Sequence, residues 1–218
     1  MNADRTPVLL VRHGEVDHAH HGTFYGGAEV PLSQAGSEAS LVLAGRLAER
    51  TPRPAVVATS PLSRARAVAD PLAERLGITP LVENGLRELD RGDWTHMHHD
   101  ALEAATPGAI GRYLEDPEAG AAPGGERESE FTARVWSTID GIVTLAAGRP
   151  TVIVCHGHVI RAAMRRLMGW DGPSSLAHFV PYHAVVETEL GTDGRGELIH
   201  APDTALPEAL RRESSSSP

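Results

Sequence analysis

Three short apolar runs end on polar or charged side chains where helices are due to begin. Val8-Leu9-Leu10-Val11 leads into Arg12-His13-Gly14-Glu15. Val56-Val57-Ala58 leads through Thr59 into Ser60-Pro61-Leu62-Ser63-Arg64, and Val152-Ile153-Val154-Cys155 leads into His156-Gly157-His158. In an open α/β sheet the carboxyl ends of parallel strands line one crevice, which is where ligands bind. Two arginines and two histidines from distant parts of the chain are thereby expected in one place, and that set suits a phosphate ester.

A phosphoryl group passes through a transition state whose charge is spread over three oxygens, so positioning and electrostatics carry most of the catalysis. Arg12, Arg64 and His156 are the candidates for that cage, and Gly157 joins them in the expected phosphate-binding set. His13 is the candidate nucleophile. A neutral imidazole nitrogen attacks phosphorus and forms a phosphohistidine, provided the other ring nitrogen finds an acceptor, such as a backbone carbonyl in the loop after Gly14. A general acid must then protonate the departing alkoxide. Glu88, in Leu86-Arg87-Glu88-Leu89, is assigned that role, with Glu83, Asp90 and Asp93 as nearby substitutes. Confinement beside a phosphate dianion is expected to raise its carboxyl pKa, and its carboxylate would activate water in the second step.

Arg64 sits in the first turn of a helix, where the backbone N–H groups already favour an anion. A cation there is misplaced unless an anion binds beside it. Ser60-Pro61 is expected to start that helix as N-cap and first residue, and Gly77 to stop it. Ser33 is expected to cap a helix reaching about residue 50, with Ala35, Ala39, Val42, Leu43 and Leu47 on one face. Strands are expected at 79–82 and, as an edge hairpin, at 185–190 and 197–200. Helices are expected at 126–147 and 159–168. Residues 16–31 read as a loop over the crevice, and 84–125 as an insert or lid with fragmentary helix. The order implies a three-layer α/β/α sandwich around a mainly parallel sheet, one domain over 1–210, with a disordered tail at 211–218.

The 218 residues are 41% hydrophobic and carry a net charge of −9, with all twenty basic residues arginine. That charge argues against non-specific nucleic-acid binding, and an anionic substrate must be met by locally concentrated positive charge. Apolar runs are strand-length and the N-terminus lacks an apolar signal core. Lone Cys155, read as a small core residue, excludes an intrachain disulfide. A cytoplasmic protein without membrane association is expected, with a small phosphate ester as its partner and a homodimer possible through the edge hairpin.

Two histidine groups stand apart: His18, His20 and His21 in the first loop, and His96, His98 and His99 in the insert. Such runs are commonly solvated. Folded over the crevice, they can line the substrate pocket or hold a transition metal. No metal or organic cofactor is assigned. Glu15 reads as a structural hydrogen-bonding or ion-pairing group, Arg66 as solvent-exposed, and His183 as a residue that could approach the site.

At these residues the chain resembles the histidine phosphatase superfamily, the phosphoglycerate-mutase-like enzymes. The resemblance runs from Leu10-Val11-Arg12-His13-Gly14-Glu15 through Pro31-Leu32-Ser33-Gln34-Ala35-Gly36, Ser60-Pro61-Leu62-Ser63-Arg64-Ala65, Leu86-Arg87-Glu88-Leu89 with Gly92-Asp93-Trp94, and Pro123-Gly124-Gly125-Glu126. It ends in Val154-Cys155-His156-Gly157-His158-Val159-Ile160-Arg161. It implies the family's fold, a phosphorylated His13, phosphate binding by Arg64 and an acid at Glu88. The family's usual threonine, asparagine and arginine in the first loop are replaced by Val16, Ala19 and Thr23, and its Glu-Gly after the tryptophan by Thr95-His96. A long mutase insert and tail are missing, so a phosphatase is expected, similar to the small phosphatases related to α-ribazole phosphatase. The alternatives are a phosphoglycerate-type mutase, a catalytically weak phospho-ligand binding module and a metal-dependent hydrolase.

Overall fold

The computed structural model describes residues 5–176 and 178–202. The expected tail at 211–218 lies outside the described residues. Six strands form one sheet in the order β3-β2-β4-β1-β5-β6. They are β1 (Arg5–Arg12), β2 (Val56–Thr59), β3 (Leu81–Val82), β4 (Thr151–Cys155), β5 (Val185–Gly191) and β6 (Gly196–His200). The first four run parallel, and the hairpin β5–β6 adds an antiparallel pair beside β1.

Strand β4 is buried along its whole length, as helix layers on both faces require. Side chains alternate across β1. Val8 and Leu10 pack with α5 (Glu128–Ala146) and α6 (Gly157–Met168), whereas Leu9 and Val11 pack with α1 (Gln34–Ala48) and α2 (Ser63–Leu76). The result is the expected α/β/α sandwich. In α5 the apolar spacing is followed closely: Phe131, Val135, Ile139, Ile142, Val143 and Ala146 are all buried, together with Trp136.

Helix α1 departs from expectation. Ser33 does cap it, accepting the Gly36 N–H at 2.9 Å, but the buried positions are Gly36, Ser40, Ala44 and Leu47. Val42 is 56% exposed and Leu41 52%. The cause is close backbone approach, since a side chain on Gly36 would run into the Glu15 carbonyl. The helix therefore turns its small residues inward, a choice that hydropathy does not signal.

Helix α2 begins at Ser63, with Leu62 at its N-cap and no side-chain cap, rather than at Ser60-Pro61. Gly77 ends it in the left-handed region at φ 73°. Residues 84–125 contain two short helices, α3 (His99–Ala105) and α4 (Ala109–Glu115), besides single turns at Asn84–Leu86 and Gly92–Trp94. A further short helix, α7 (Gly172–Leu176), was not anticipated. Among the described residues no helix is long and apolar enough to cross a membrane.

Candidate active site

Register brings the two histidines together. Arg12 is paired with Cys155 across β1 and β4, so His13 and His156 stand side by side one residue beyond the strands. Their ring centroids are 5.1 Å apart. Thr59 pairs with Val154 on the other side of β4, which brings Ser60 level with them.

His13 is 1% exposed, and its Nδ1 lies 2.7 Å from the Gly14 carbonyl. A carbonyl only accepts, so Nδ1 carries the proton and the lone pair is on Nε2. The expected acceptor is thus the carbonyl of the very next residue. Burial, then the neighbouring His156 and the charges of Arg12 and Arg64, push the imidazole well below its ordinary pKa, which leaves it neutral at neutral pH. Gly14 must be glycine here, because a Cβ would lie 2.6 Å from His183 Nε2 and 2.7 Å from both the Gly36 carbonyl and Ser40 Oγ.

Arg64 is 1% exposed and spends its two terminal nitrogens on the carbonyls of Ala28, at 2.6 Å, and Gly26, at 2.7 Å. Arg12 donates to the Val180 carbonyl and lies 4.2 Å from the Tyr182 ring centroid. Neither guanidinium has a carboxylate ion-pair partner, and the Nε of each is buried with no protein partner among the described residues. His156 is in the same condition: Nε2 lies 2.8 Å from Ser60 Oγ, while Nδ1 is buried and unpartnered. Burial and Arg64 hold its ring well below the ordinary histidine value. Buried polar groups of this kind cost free energy unless a ligand completes them.

Ser60 was read as a helix cap, and it serves His156 instead. Glu88 is 9% exposed, and each of its oxygens accepts a backbone N–H, from Leu89 at 3.0 Å and from His158 at 3.2 Å. Burial works to raise its pKa, but His158, His156 and the Leu89 N–H outweigh it and hold the carboxyl well below the ordinary range. The expected rise concerned Glu88 beside a bound phosphate dianion, whereas the direction here is that of the free protein, set first by the His158 ring at its side. Arg134 of α5 fixes this segment, donating at 2.9 Å to the carbonyls of both Gly85 and Arg87 while paired with Glu126 at 2.6 Å.

The rim was legible only in outline. Phe24 N–H donates to the Met97 carbonyl at 3.0 Å and His96 N–H to the Phe24 carbonyl at 2.8 Å, so the loop 16–31 and the segment 84–125 are joined. A cavity of about 240 Å³ opens between them, walled by Tyr25, Glu88, Arg91, His99, His158 and Arg161 and by Arg12 from below. A terminal nitrogen of Arg91, which is 7% exposed, lies 3.0 Å from His158 Nε2, and one of Arg161 lies 2.7 Å from His158 Nδ1; a neutral ring accepts at only one of the two. Burial, Arg161 and Arg91, against the pull of Glu88, lower His158 to about 3. Sequence reasoning assigned no role to Arg91, His158 or Arg161, although the last two stand in the quoted His156–Arg161 run.

Of the six loop histidines, His99 lines the cavity, and His20 lies 6.4 Å from His96, ring to ring. His183 Nε2 meets Ser40 at 2.9 Å, while its backbone N–H donates to the His13 carbonyl at 3.2 Å. Glu15 accepts from Ser33 at 2.8 Å, Arg66 pairs with Asp70 at 2.6 Å with its side chain 37% exposed, and Cys155 is fully buried.

Comparison with known proteins agrees with this geometry. The family profile described as histidine phosphatase superfamily (branch 1) matches residues 8–201. Glucosyl-3-phosphoglycerate phosphatase of Mycolicibacterium vanbaalenii is 32% identical over 169 residues, covering 74% of each chain. The native structure of mycobacterial glucosyl-3-phosphoglycerate phosphatase superposes with a TM-score of 0.79 at 25% identity, covering 89% of this chain and 97% of that one. The α-ribazole phosphatase of Shigella flexneri gives 0.78 at 23% identity, covering 93% and 98%, a likeness of fold.

Proposed function

The chain belongs to the histidine phosphatase superfamily, and from that premise we propose that it hydrolyses small phosphomonoesters through a phosphohistidine formed on His13. The carrying observation is one cluster. A neutral His13 with its lone pair on Nε2 adjoins three buried groups, Arg12 Nε, Arg64 Nε and His156 Nδ1, that lack partners among the described residues.

In the first step His13 Nε2 attacks phosphorus and the bond from phosphorus to the ester oxygen breaks. Arg12, Arg64, His156 and the Gly157 N–H at the start of α6 receive the phosphoryl oxygens. Ser60 donating its O–H to His156 Nε2 leaves a proton on Nδ1, from which it reaches one of those oxygens. Glu88 protonates the leaving alkoxide. Resting as a carboxylate, it takes up that proton when the substrate dianion arrives and raises its pKa. In the second step water attacks phosphorus, Glu88 accepts its proton, the nitrogen–phosphorus bond breaks, and phosphate leaves.

No step needs a metal, and the reaction is placed in the cytoplasm within one domain whose 84–125 segment walls the site. Arg91 and Arg161 bring further positive charge to the cavity beyond what one phosphate uses, which supports a substrate with a second acceptor-rich group. The glucosyl-3-phosphoglycerate of the mycobacterial relative is one such ester.

The test is hydrolysis of p-nitrophenyl phosphate and of a phosphomonoester panel with EDTA present. Metal-free turnover that falls by roughly four orders of magnitude or more in His13→Ala supports the reading. Turnover surviving that substitution contradicts it. Loss of activity in EDTA returns a metal-dependent hydrolase, faster transfer to a second hydroxyl than to water returns a mutase, and tight phosphate binding without turnover on any ester returns a binding module.

A further inference from the structure

The geometry points to a second site, on the outer side of the first loop, that binds a divalent transition metal of zinc-like preference through Glu15, His18 and His21. One ligand atom from each lies within 4.8 Å of the other two. His18–His20 form a single tight helical turn in which the His21 N–H donates to the His18 carbonyl at 3.1 Å. In such a turn residues three apart eclipse, so the backbone brings the two imidazoles to one side, edge to face with centroids 4.7 Å apart.

Their Nδ1 atoms are 3.4 Å apart. Two nitrogens each about 2.0–2.1 Å from a tetrahedral zinc are separated by about 3.3–3.4 Å, the edge of that tetrahedron. His21 Nε2 lies 3.2 Å from the Val16 carbonyl, which places its proton there and turns the Nδ1 lone pair towards His18. A metal-binding histidine commonly donates its remote N–H in this way. Glu15 is likewise held, with Ser33 Oγ on Oε2, and its Oε1 lies 3.9 Å from His21 Nε2, the ring nitrogen turned to Val16. The proposed ion requires that carboxylate to turn from the Nε2 side towards the paired Nδ1 atoms, within the 4.8 Å that spans the three ligand groups, with a fourth position left for water.

The turn itself is anchored. Val16 bridges to Leu32, and the Asp17 N–H donates to the Pro31 carbonyl at 3.0 Å. Asp17 and Glu38 line the adjoining hollow with His18, which adds attraction for a cation. The ion would fasten the start of the loop that carries Tyr25 to the pocket and whose carbonyls at Gly26 and Ala28 hold Arg64. It is a staple, separate from the phosphoryl chemistry and independent of the reading above.

Metal-stripped full-length protein is titrated with Co2+ and followed by visible absorption, with thermal melting in Zn2+ alongside. Tetrahedral bands saturating near one equivalent are expected. They should vanish in H18Q/H21Q, persist in H96Q/H98Q/H99Q, and require roughly tenfold more metal or greater in Glu15→Gln. Both histidines are exposed, and an unchanged circular dichroism spectrum checks that H18Q/H21Q folds. The proposal is overturned by the absence of such bands in wild type, or by bands that survive H18Q/H21Q.

Discussion

The buried floor of the candidate site and the rim that lines its cavity are built by opposite means. On the floor, His13, Arg64 and His156 are almost fully buried and stand at strand ends and a helix start. Their places follow from the ladder register of β1, β4 and β2. On the rim, Arg91, His158 and Arg161 meet through side-chain bonds, and the two rim segments meet through irregular backbone pairing. On the proposed function, the floor meets what every phosphate ester shares and the rim what distinguishes one ester from another, so the regular part of the fold would set the chemistry and the irregular part the selectivity.

Substitutions can break that division at several depths. On the floor, Glu88→Gln removes the acid. We expect kcat/KM to fall about 10³-fold for alkyl phosphates and much less for p-nitrophenyl phosphate, whose leaving group departs without a proton. Equal losses on both esters would contradict Glu88 as the acid. Arg64→Lys is expected to cost about 10²-fold in kcat, because an ammonium cannot span the Gly26 and Ala28 carbonyls and still reach phosphate. Steady-state rates near wild type would show that the planar fork is not needed.

Acid should loosen floor and rim together. His13, His156 and His158 are all held below the ordinary value of 6.5, so the unfolded chain binds more protons beneath that pH. Their contribution is complete above about pH 6.5 and declines as pH falls towards the folded values. Urea midpoints are therefore expected to drop steadily from pH 7 to pH 5, and a flat profile would argue against three neutral buried imidazoles. The smallest effect belongs to the rim. Arg91→Gln should raise KM several-fold for esters with a second acceptor group and leave p-nitrophenyl phosphate unchanged. A uniform loss on both would make Arg91 structural.

The same division explains what could be read before the structure. Apolar runs ending in Arg12-His13 and Cys155-His156 predict strand ends, and parallel pairing makes those ends converge. Helix α5 was equally plain, because its one-sided apolar spacing answers to burial alone. Helix α1 was misjudged, since backbone proximity at Gly36 overrules side-chain hydropathy. Ser60 followed the rule for a cap, yet its hydroxyl is taken by His156, a residue ninety-six positions away. The direction of the Glu88 shift depends on the His158 ring, and then His156, coming beside the carboxylate from across the fold, and no local pattern encodes that. Arg91 and Arg161 share His158 for a similar reason: the contact exists only once α6 and the 84–125 segment are both in place.

The most direct test of the account is to trap the covalent intermediate. The protein is mixed with a turning-over phosphomonoester, quenched in denaturing alkali, digested and sequenced by mass spectrometry. The account predicts an acid-labile, alkali-stable phosphoryl group on the peptide carrying His13, absent in His13→Asn. Active wild-type enzyme that accumulates no phosphoenzyme even in rapid quench, together with hydrolysis that inverts configuration at a chiral phosphorus, would contradict it.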